Sequence, residues 1–326
     1  MICRLIFAGL CATFCARAQD AWIPGAPIRG YAVAGNALYT WGDRLIRWDL
    51  TNLRPHLVTR GWFGEGGCLL DVDGDGVLDV VVTEIAPTPA LVWFHTPDGA
   101  RHPIAGGVES KDAIALTLLG RRGVLLIHKT QQLRFYEVPA DLSREWAETE
   151  IYSIYTPSRE GGLAVADVNG DGLPDIFAGN YWLMSPARFD LPWREFAIDL
   201  WNEEPLSAML RVGASAAGAG LGQRIAAQRE QAHARLAWFE MPADPKELWT
   251  MHPIAPELDW NAPDFTFIGD DLLVVERGGP NRVVRLHREQ ERWVPKELAR
   301  VPGAMGAVGF KDRVLVIARD RLTWLR

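Results

Sequence analysis

Two acidic stretches decide how this chain folds: Asp71-Val72-Asp73-Gly74-Asp75-Gly76-Val77-Leu78-Asp79 and Asp167-Val168-Asn169-Gly170-Asp171-Gly172-Leu173-Pro174-Asp175. In both stretches, oxygen-bearing side chains occupy positions 1, 3, 5 and 9, and glycine occupies position 6. A tight loop that turns alternate side chains inward surrounds a hard cation, and the glycine permits the sharp bend. Apolar, strand-like sequence lies on either side of each stretch, so both are predicted to be loops between strands.

The spacing of these oxygens predicts two calcium sites, which we expect to be structural. Calcium suits the loops better than magnesium because a flexible loop offers it more than six oxygens. An EF-hand would need a glutamate at position 12, where this chain has Val82 and Ala178, and flanking helices. Metal-free Asp-Gly hairpin turns are the alternative. The predicted ligands are Asp71, Asp73, Asp75, the Val77 carbonyl, Asp79, Asp167, Asn169, Asp171, the Leu173 carbonyl and Asp175.

A repeat of about 46 residues surrounds the acidic loops. Seven strand-like segments of similar composition recur, and their first residues are separated by 46, 42, 48, 55, 48 and 38 residues. An apolar run precedes most of them and another follows, so each unit supplies four strands once an inner strand is added. The pattern predicts an all-β fold, a seven-bladed β-propeller of four-stranded antiparallel blades. The segments begin at Leu45, Leu91, Leu133, Tyr181, Leu236, Val284 and Leu322.

The two ends of the chain are expected to close this ring together. The last unit stops at Arg326, just after its third strand, so a strand near Trp22 to Ile28 is predicted to complete it. Two β-sandwiches whose matching segments are coincidental are the alternative, but the even spacing disfavours them. We therefore expect residues 19–326 to form one propeller domain.

The loop pattern D-x-[DN]-x-D-G-x-x-D between two strands resembles the FG-GAP and VCBS repeats of bacterial exported proteins and integrin α-subunit propellers. Leu236–Glu240 and Trp249–Ile254 are similar to the third and fourth strands of such repeats. The resemblance covers the chain after residue 18 as an architecture, but the full loop occurs only in units two and four. It implies a propeller fold and calcium, and no single activity, because one fold hosts many functions.

Residues 1–18 have the layout of a secretory signal peptide. Arg4 precedes an apolar run from Leu5 to Phe14, and the small residues Ala16 and Ala18 form an A-x-A-type cleavage site. An uncleaved N-terminal anchor is the alternative. Cleavage near Ala18 predicts an exported protein, secreted or periplasmic, that retains only Cys68 and has no transmembrane segment.

Composition narrows the possible functions. The chain has 326 residues, of which 48% are hydrophobic, and this fraction excludes a wholly disordered protein. The net charge of −7 provides no broad basic surface for phosphates, so nucleic-acid binding is not expected.

A circle of side chains at the ends of the second strands is the predicted ligand-binding region. These ends lie on the face opposite the acidic loops, and the connections between blades open onto that same face. Aromatic planes beside mixed polar groups suit a carbohydrate or a peptide. In the alternative, the tryptophans wedge between blades and the polar groups are merely solvated. The candidates are Trp62, Glu84, His128, Asn180, Trp201, Arg229, Trp260 and Glu276.

These observations favour a non-catalytic propeller that serves as a binding or scaffold module for a protein or glycan. The competing hypothesis is a carbohydrate-active enzyme of the lyase or dehydratase type. It would use Glu84, His128, Arg229 or Glu276 as acid, base or charge stabiliser, and these groups would have to converge on one sugar.

Overall fold

The computed structural model describes residues 19–22, 27–128, 132–153, 162–199, 209–215, 224–229, 236–290 and 292–325. These residues form 28 β-strands and one 3-10 turn, at Pro256–Leu258. The predicted signal peptide and Trp201 lie outside the described residues.

Strand β1 spans Gln19–Trp22, and the next 24 strands form six blades, each built from four consecutive strands. Blade 1 contains β2 (Gly30–Ala34), β3 (Ala37–Trp41), β4 (Arg44–Asp49) and β5 (Arg54–Arg60). Blade 2 contains β6 (Phe63–Leu70), β7 (Asp79–Glu84), β8 (Ala90–His95) and β9 (Ala100–Gly106). Blade 3 contains β10 (Ser110–Leu118), β11 (Arg121–His128), β12 (Gln132–Glu137) and β13 (Ala147–Ser153).

Blades 4 to 6 follow the same plan. Blade 4 contains β14 (Leu163–Ala166), β15 (Asp175–Ala178), β16 (Tyr181–Met184) and β17 (Arg194–Ala197). Blade 5 contains β18 (Met209–Ser215), β19 (Arg224–Arg229), β20 (Leu236–Glu240) and β21 (Thr250–Pro253). Blade 6 contains β22 (Pro263–Ile268), β23 (Asp271–Glu276), β24 (Arg282–Glu289) and β25 (Arg292–Arg300). All strand pairs within these sheets are antiparallel, as predicted for propeller blades.

The remaining sheet is composite. Strands β26 (Ala304–Phe310), β27 (Arg313–Ala318) and β28 (Arg321–Leu325) are completed by β1, which pairs antiparallel with β28. The prediction of seven blades is wrong, because the continuous four-stranded blade occurs six times among the described residues, beside this one composite sheet. The N-terminal strand also lies at 19–22, where Gln19 pairs with Trp324, and not at the expected 22–28.

Apolar side chains from neighbouring sheets interlock to form the core. Trp41 of blade 1 packs with Val80 and Phe94 of blade 2, and all three are almost fully buried. Leu38 of blade 1 packs with Trp324 of the composite sheet, which joins the two ends of the described chain. Each buried side chain of this size stabilises the fold by roughly 1.5 to 3 kcal/mol relative to an exposed one.

The first strand of each blade lies against the first strand of the next, so these strands surround the propeller axis. Close approach is possible because some carry glycine. A Cβ added at Gly306 would overlap the Tyr31 hydroxyl, and one at Gly213 would lie 2.9 Å from both the Phe265 and Phe267 rings. Bulges near the starts of β6, β10, β18 and β26 kink these strands.

Candidate functional site

The two acidic loops adopt the same backbone conformation. In blade 2 the Asp71 carboxylate accepts hydrogen bonds from the Gly74 and Gly76 N–H groups, at 2.8 and 3.1 Å. In blade 4 Asp167 accepts the equivalent bonds from glycine amides at 2.8 and 2.9 Å. These glycines have φ angles between 75° and 85°, which only glycine adopts without strain. The matched sequences therefore produce matched loops.

The aspartate at position 9 anchors each loop to its blade. Asp79 is fully buried, and its two oxygens accept the Val72 N–H at 3.0 Å and the Thr96 N–H at 3.3 Å. Asp175 makes the equivalent bonds in blade 4, at 2.9 and 2.7 Å. Burial raises the pKa of both carboxyls to about 6. This carboxylate joins the loop to the end of the third strand through main-chain amides.

The donor set of the blade 2 loop fits a hard cation. Oxygens of Asp71, Asp73 and Asp79 lie within 4.8 Å of one another, and His95 forms a second such group with Asp73 and Asp75. Carboxylates this close repel one another unless a cation lies between them. His95 Nε2 is 3.3 Å from an Asp75 oxygen, and a hydrogen bond with the neighbouring carboxylate of Asp98 raises the pKa of His95.

The blade 4 loop differs in one ligand and in its surroundings. Asn169 replaces the second carboxylate, and its amide donates to Asp171 Oδ2 at 2.9 Å. The strand residue that corresponds to His95 of blade 2 is Met184. No equally tight group of three acidic or histidine ligands occurs in this loop within the described part of the chain. The two predicted sites are therefore similar in backbone and unequal in charge.

Two predicted ligand-binding residues, His128 and Asn180, have inward, structural contacts. Both are buried, and both follow or end the second strand of their blade. The Glu109 N–H donates to His128 Nδ1 at 3.3 Å, and the Met209 N–H donates to Asn180 Oδ1 at 2.8 Å. Each therefore holds the segment that enters the inner strand of a blade.

Glu276 and Trp260 form further hydrogen bonds where blade 5 meets blade 6. The Glu276 carboxylate is fully buried and accepts from the Arg282 guanidinium at 2.7 and 2.8 Å and from the Asn261 N–H at 3.0 Å. Trp260 is buried and donates its Nε1–H to the Ile254 carbonyl at 2.8 Å. The Arg282 guanidinium lies 5.7 Å from the Trp260 ring centre.

Glu84 and Trp62, two further predicted ligand-binding residues, have different surroundings. Glu84 forms a 2.7 Å hydrogen bond with Arg101 Nε at the outer strand of its own blade, and Trp62 has an exposed fraction of 55%. Arg229 is the last residue of β19, and Trp201 lies outside the described residues. None of the eight belongs to the described residues that line the cavity on the propeller axis.

That axial cavity has a volume of about 290 Å³ and is lined mostly by residues near the starts of the inner strands, with Trp41 and Arg277 from the second strands or just beyond them. Sequence reasoning missed it. The available signal was a charged residue near the start of an otherwise apolar inner strand, as in Asp112 of β10, Arg211 of β18 and Asp264 of β22. The polar lining residues are Arg29, Tyr31, Glu65, Lys111, Asp112, Arg211, Asp264, Thr266 and Arg277, and aromatic rings come from Trp41, Phe265 and Phe267.

An ion-pair network joins the charged groups of this cavity. Asp264 is buried and accepts from Arg277 at 2.5 Å, while Arg211 Nε lies 3.7 Å from the same Asp264 oxygen. Arg277 Nε also donates to the Met305 carbonyl at 3.2 Å. The Asp264 carboxylate raises the pKa of Arg211, so this guanidinium stays charged at every physiological pH.

Asp112 is the second acidic wall of the cavity. Its oxygens accept the Leu163 N–H and the Ala113 N–H, both at 2.9 Å. Burial raises the pKa of the Asp112 carboxyl, and the Arg211 guanidinium opposes this effect. Burial also raises the pKa of Tyr31, so its hydroxyl keeps its proton.

A larger groove of about 620 Å³ lies between the outer strands of blades 5 and 6. Trp238 stacks on His252 with ring centres 4.2 Å apart, and the Arg288 guanidinium lies 5.3 Å from the Trp238 ring and 5.8 Å from the Trp293 ring. The Trp293 Nε1 atom is buried and has no hydrogen-bond partner among the described residues. A polar group of this kind is costly to bury unpaired.

Comparisons with known proteins agree with this architecture. The fold defines the chain as a β-propeller, and the FG-GAP repeat model matches residues 161–187, which contain the blade 4 loop. No curated protein matches the chain. Within the described residues, we find no helix with the length and hydrophobicity needed to cross a bilayer.

Three solved structures share the fold at low sequence identity. YCF48 from Cyanidioschyzon merolae has a TM-score of 0.58 and 11% identity, over 95% of this chain and 98% of that one. The WD40 domain of SCAP from fission yeast has a TM-score of 0.50 and 9% identity, over 92% and 84%. The gluconolactonase XC5397 from Xanthomonas campestris has a TM-score of 0.50 and 13% identity, over 95% and 89%. Identities this low indicate the fold and leave function to the site itself.

Proposed function

We propose that this protein is an exported, calcium-stabilised β-propeller that binds a protein or glycan ligand and does not catalyse a reaction. The observation that supports binding most directly is the groove between blades 5 and 6, with its buried and unpartnered Trp293 N–H. This donor would pair with a carbonyl or hydroxyl oxygen of a ligand. An extended peptide and a glycan both offer such oxygens along their length.

The rest of the groove suits the same kind of ligand. Trp238 and Trp293 provide apolar area, and Glu240, His252 and Arg288 provide polar contacts around it. Ligand sites usually combine apolar surface with a few precisely positioned polar groups. The apolar surface contributes affinity, and the polar groups orient the ligand. A volume of about 620 Å³ is enough for a short segment of a longer chain.

Calcium is proposed as the stabilising ion of the blade 2 and blade 4 loops. Asp71, Asp73 and Asp75 would hold it in blade 2, and Asp167, Asn169 and Asp171 would hold it in blade 4, each with the carbonyl at position 7 and the carboxylate at position 9. Extracellular calcium modules have dissociation constants of about 0.1 to 1 mM. At ~1 mM calcium and ~0.1 mM affinity, one site adds about 1.4 kcal/mol to the free energy of unfolding.

A screen of labelled peptides and glycans against the full chain in calcium buffer tests the binding proposal. For any ligand that binds, Trp293→Phe removes the N–H and keeps most of the ring, and we expect binding to weaken about tenfold. Trp193→Phe is the matched control, because Trp193 packs on Phe189 in blade 4, away from the groove. Equal weakening in both variants, or none in Trp293→Phe, contradicts a ligand in this groove.

A further inference from the structure

A second ligand site, independent of the groove and of calcium, follows from the axial cavity. Charged side chains from four different sheets meet there with Arg29 and Arg277, which lie next to strands, although most inner-strand residues are apolar. We propose that this cavity binds a small carboxylate that also carries several hydroxyl groups, of the size and chemistry of a hexuronate. The charge, hydrogen bonding, shape and volume of the cavity support this ligand.

The cavity has a positive excess within an acidic protein. Four cationic side chains line it, Arg29, Lys111, Arg211 and Arg277, against three carboxylates, Glu65, Asp112 and Asp264. The chain as a whole carries a net charge of −7. A local excess of positive charge inside a concave, low-dielectric wall attracts an anion more strongly than the same charges on an open surface.

The buried carboxylates are already paired with groups of the protein. Asp112 accepts two main-chain N–H groups, and Asp264 accepts the Phe265 N–H at 2.9 Å and Arg277 at 2.5 Å. Their role is therefore to hold the cavity walls and the arginines in place. Arg277 is held in the same way, so Arg211 is the cation best placed to contact a ligand.

Arg211 is the central cation. Its Nε lies 3.7 Å from the Asp264 oxygen, which is longer than a hydrogen bond, and its side chain has an exposed fraction of 30%. A guanidinium offers a rigid fork of N–H donors that matches both oxygens of a carboxylate. The carboxylates of Asp264 and Asp112 attract the Arg211 guanidinium electrostatically. Neither of them forms the pair of parallel hydrogen bonds that the guanidinium can donate. A ligand carboxylate would complete the arrangement.

The remaining walls suit hydroxyl groups and a saturated ring. The Tyr31 hydroxyl, which keeps its proton, can donate to a ligand oxygen, and the exposed carboxylate of Glu65 can accept from a ligand hydroxyl. Phe265 and Phe267 contribute apolar rings to the same lining. A sugar ring presents both kinds of surface, whereas a simple anion such as acetate presents only the charge.

The volume limits the ligand to a single small unit. Pockets for drug-sized ligands measure about 300 to 1,000 Å³. The axial cavity, at about 290 Å³, lies at the lower end of that range. A monosaccharide derivative is therefore the appropriate size, and an oligosaccharide chain is too large.

Isothermal titration calorimetry on the full chain in calcium buffer tests the proposal, with D-glucuronate, D-glucose and acetate as probes. We expect glucuronate to bind at least about tenfold more tightly than either of the others, because only glucuronate has both the charge and the hydroxyls. Absence of glucuronate binding at millimolar concentrations overturns the proposal. Equal binding of acetate overturns the role of the hydroxyls, and equal binding of glucose overturns the role of the carboxylate.

Variants locate the site. Arg211→Gln is expected to weaken glucuronate binding about tenfold or more, and Lys111→Gln about threefold or more. Arg188→Gln, at an exposed ion pair in blade 4, is the matched control and should bind as the unmodified chain does. A melting curve checks that each variant is folded. If Arg211→Gln fails to fold, Lys111→Gln decides, and unchanged affinity in every folded cavity variant places the ligand elsewhere.

Discussion

Blades 2 and 4 differ from blade 6 in how the same aspartate is stabilised. Asp79, Asp175 and Asp271 each begin the second strand of their blade and are spaced by 96 residues. In blades 2 and 4 a long loop folds back, so that one loop amide and one amide at the end of the third strand donate to the carboxylate. In blade 6 the hairpin between Ile268 and Asp271 contains only two residues, so no loop amide is available.

Asp271 is stabilised by side chains in place of amides. Arg285 Nε and His287 Nδ1, both on the third strand, lie 2.5 Å from its two oxygens. Burial acts to raise the pKa of Asp271, but the contacts with His287 and Arg285 prevail and lower it. At Asp79 and Asp175 burial prevails and raises the pKa to about 6. The equivalent carboxylate thus anchors an acidic loop in blades 2 and 4 and pairs with side chains in blade 6. The groups that surround the carboxylate determine which of the two roles it has.

The largest expected effect is from Asp175→Ala. The substitution leaves the buried N–H groups of Val168 and Ser185 without an acceptor, and we expect a loss of about 2 to 4 kcal/mol in the free energy of unfolding. Urea unfolding followed by tryptophan fluorescence measures it. Asp175→Asn retains one acceptor oxygen and should cost less. If Asp271→Ala costs as much as Asp175→Ala, the distinction between the two kinds of blade fails.

Removal of calcium is expected to have the next largest effect. Chelation with EDTA should lower the melting temperature by roughly 3 °C or more, since about 1.4 kcal/mol is lost at each site. Asp73→Ala should reduce this response by removing a close carboxylate from blade 2. Asp270→Ala, in the short hairpin of blade 6, is the control and should respond to EDTA as the unmodified chain does. Superimposable melting curves with and without EDTA would contradict structural calcium.

The smallest expected effect concerns acid stability in blade 6. Because the pKa of Asp271 is lowered by folding, its contribution is present above the unfolded pKa, near 4, and is lost as the pH falls through the folded value. Asp271→Asn should cost less than about 1 kcal/mol at pH 7, since its partners are largely exposed, and should cost nothing near pH 2. If Asp271→Asn lowers the free energy of unfolding equally at pH 7 and near pH 2, the charge of Asp271 does not contribute to stability.

Local sequence patterns predicted much of the fold. The segments that begin at Leu91 and Leu236 lie in β8 and β20, and the paired acidic stretches form paired loops, because strand alternation, glycine at positive φ and aspartate side chains act within a few residues. Ring closure was predicted from the missing fourth strand, but the strand was placed a few residues too late. Short terminal strands carry little pattern of their own, and pairing with β28 determines their position.

The candidate sites were predictable only in part. The acidic loops were found because all of their oxygens lie within nine residues. The proposed circle of ligand-binding side chains included His128, Asn180 and Glu276, whose contacts are with the main chain and with Arg282. A polar residue at a strand end reads the same in sequence whether it faces a ligand or a buried amide.

By itself, the sequence determined the antiparallel blade, its repeat and the two acidic loops, because each of these depends on interactions among near neighbours in the chain. The tertiary structure alone decided the axial cavity, the groove and the partners of Asp271. Asp112 meets the Leu163 amide 51 residues away, and Arg211 meets Asp264 53 residues away, through the circular packing of inner strands. No local pattern encodes which side chains meet across an axis, since that depends on how every blade between them is packed.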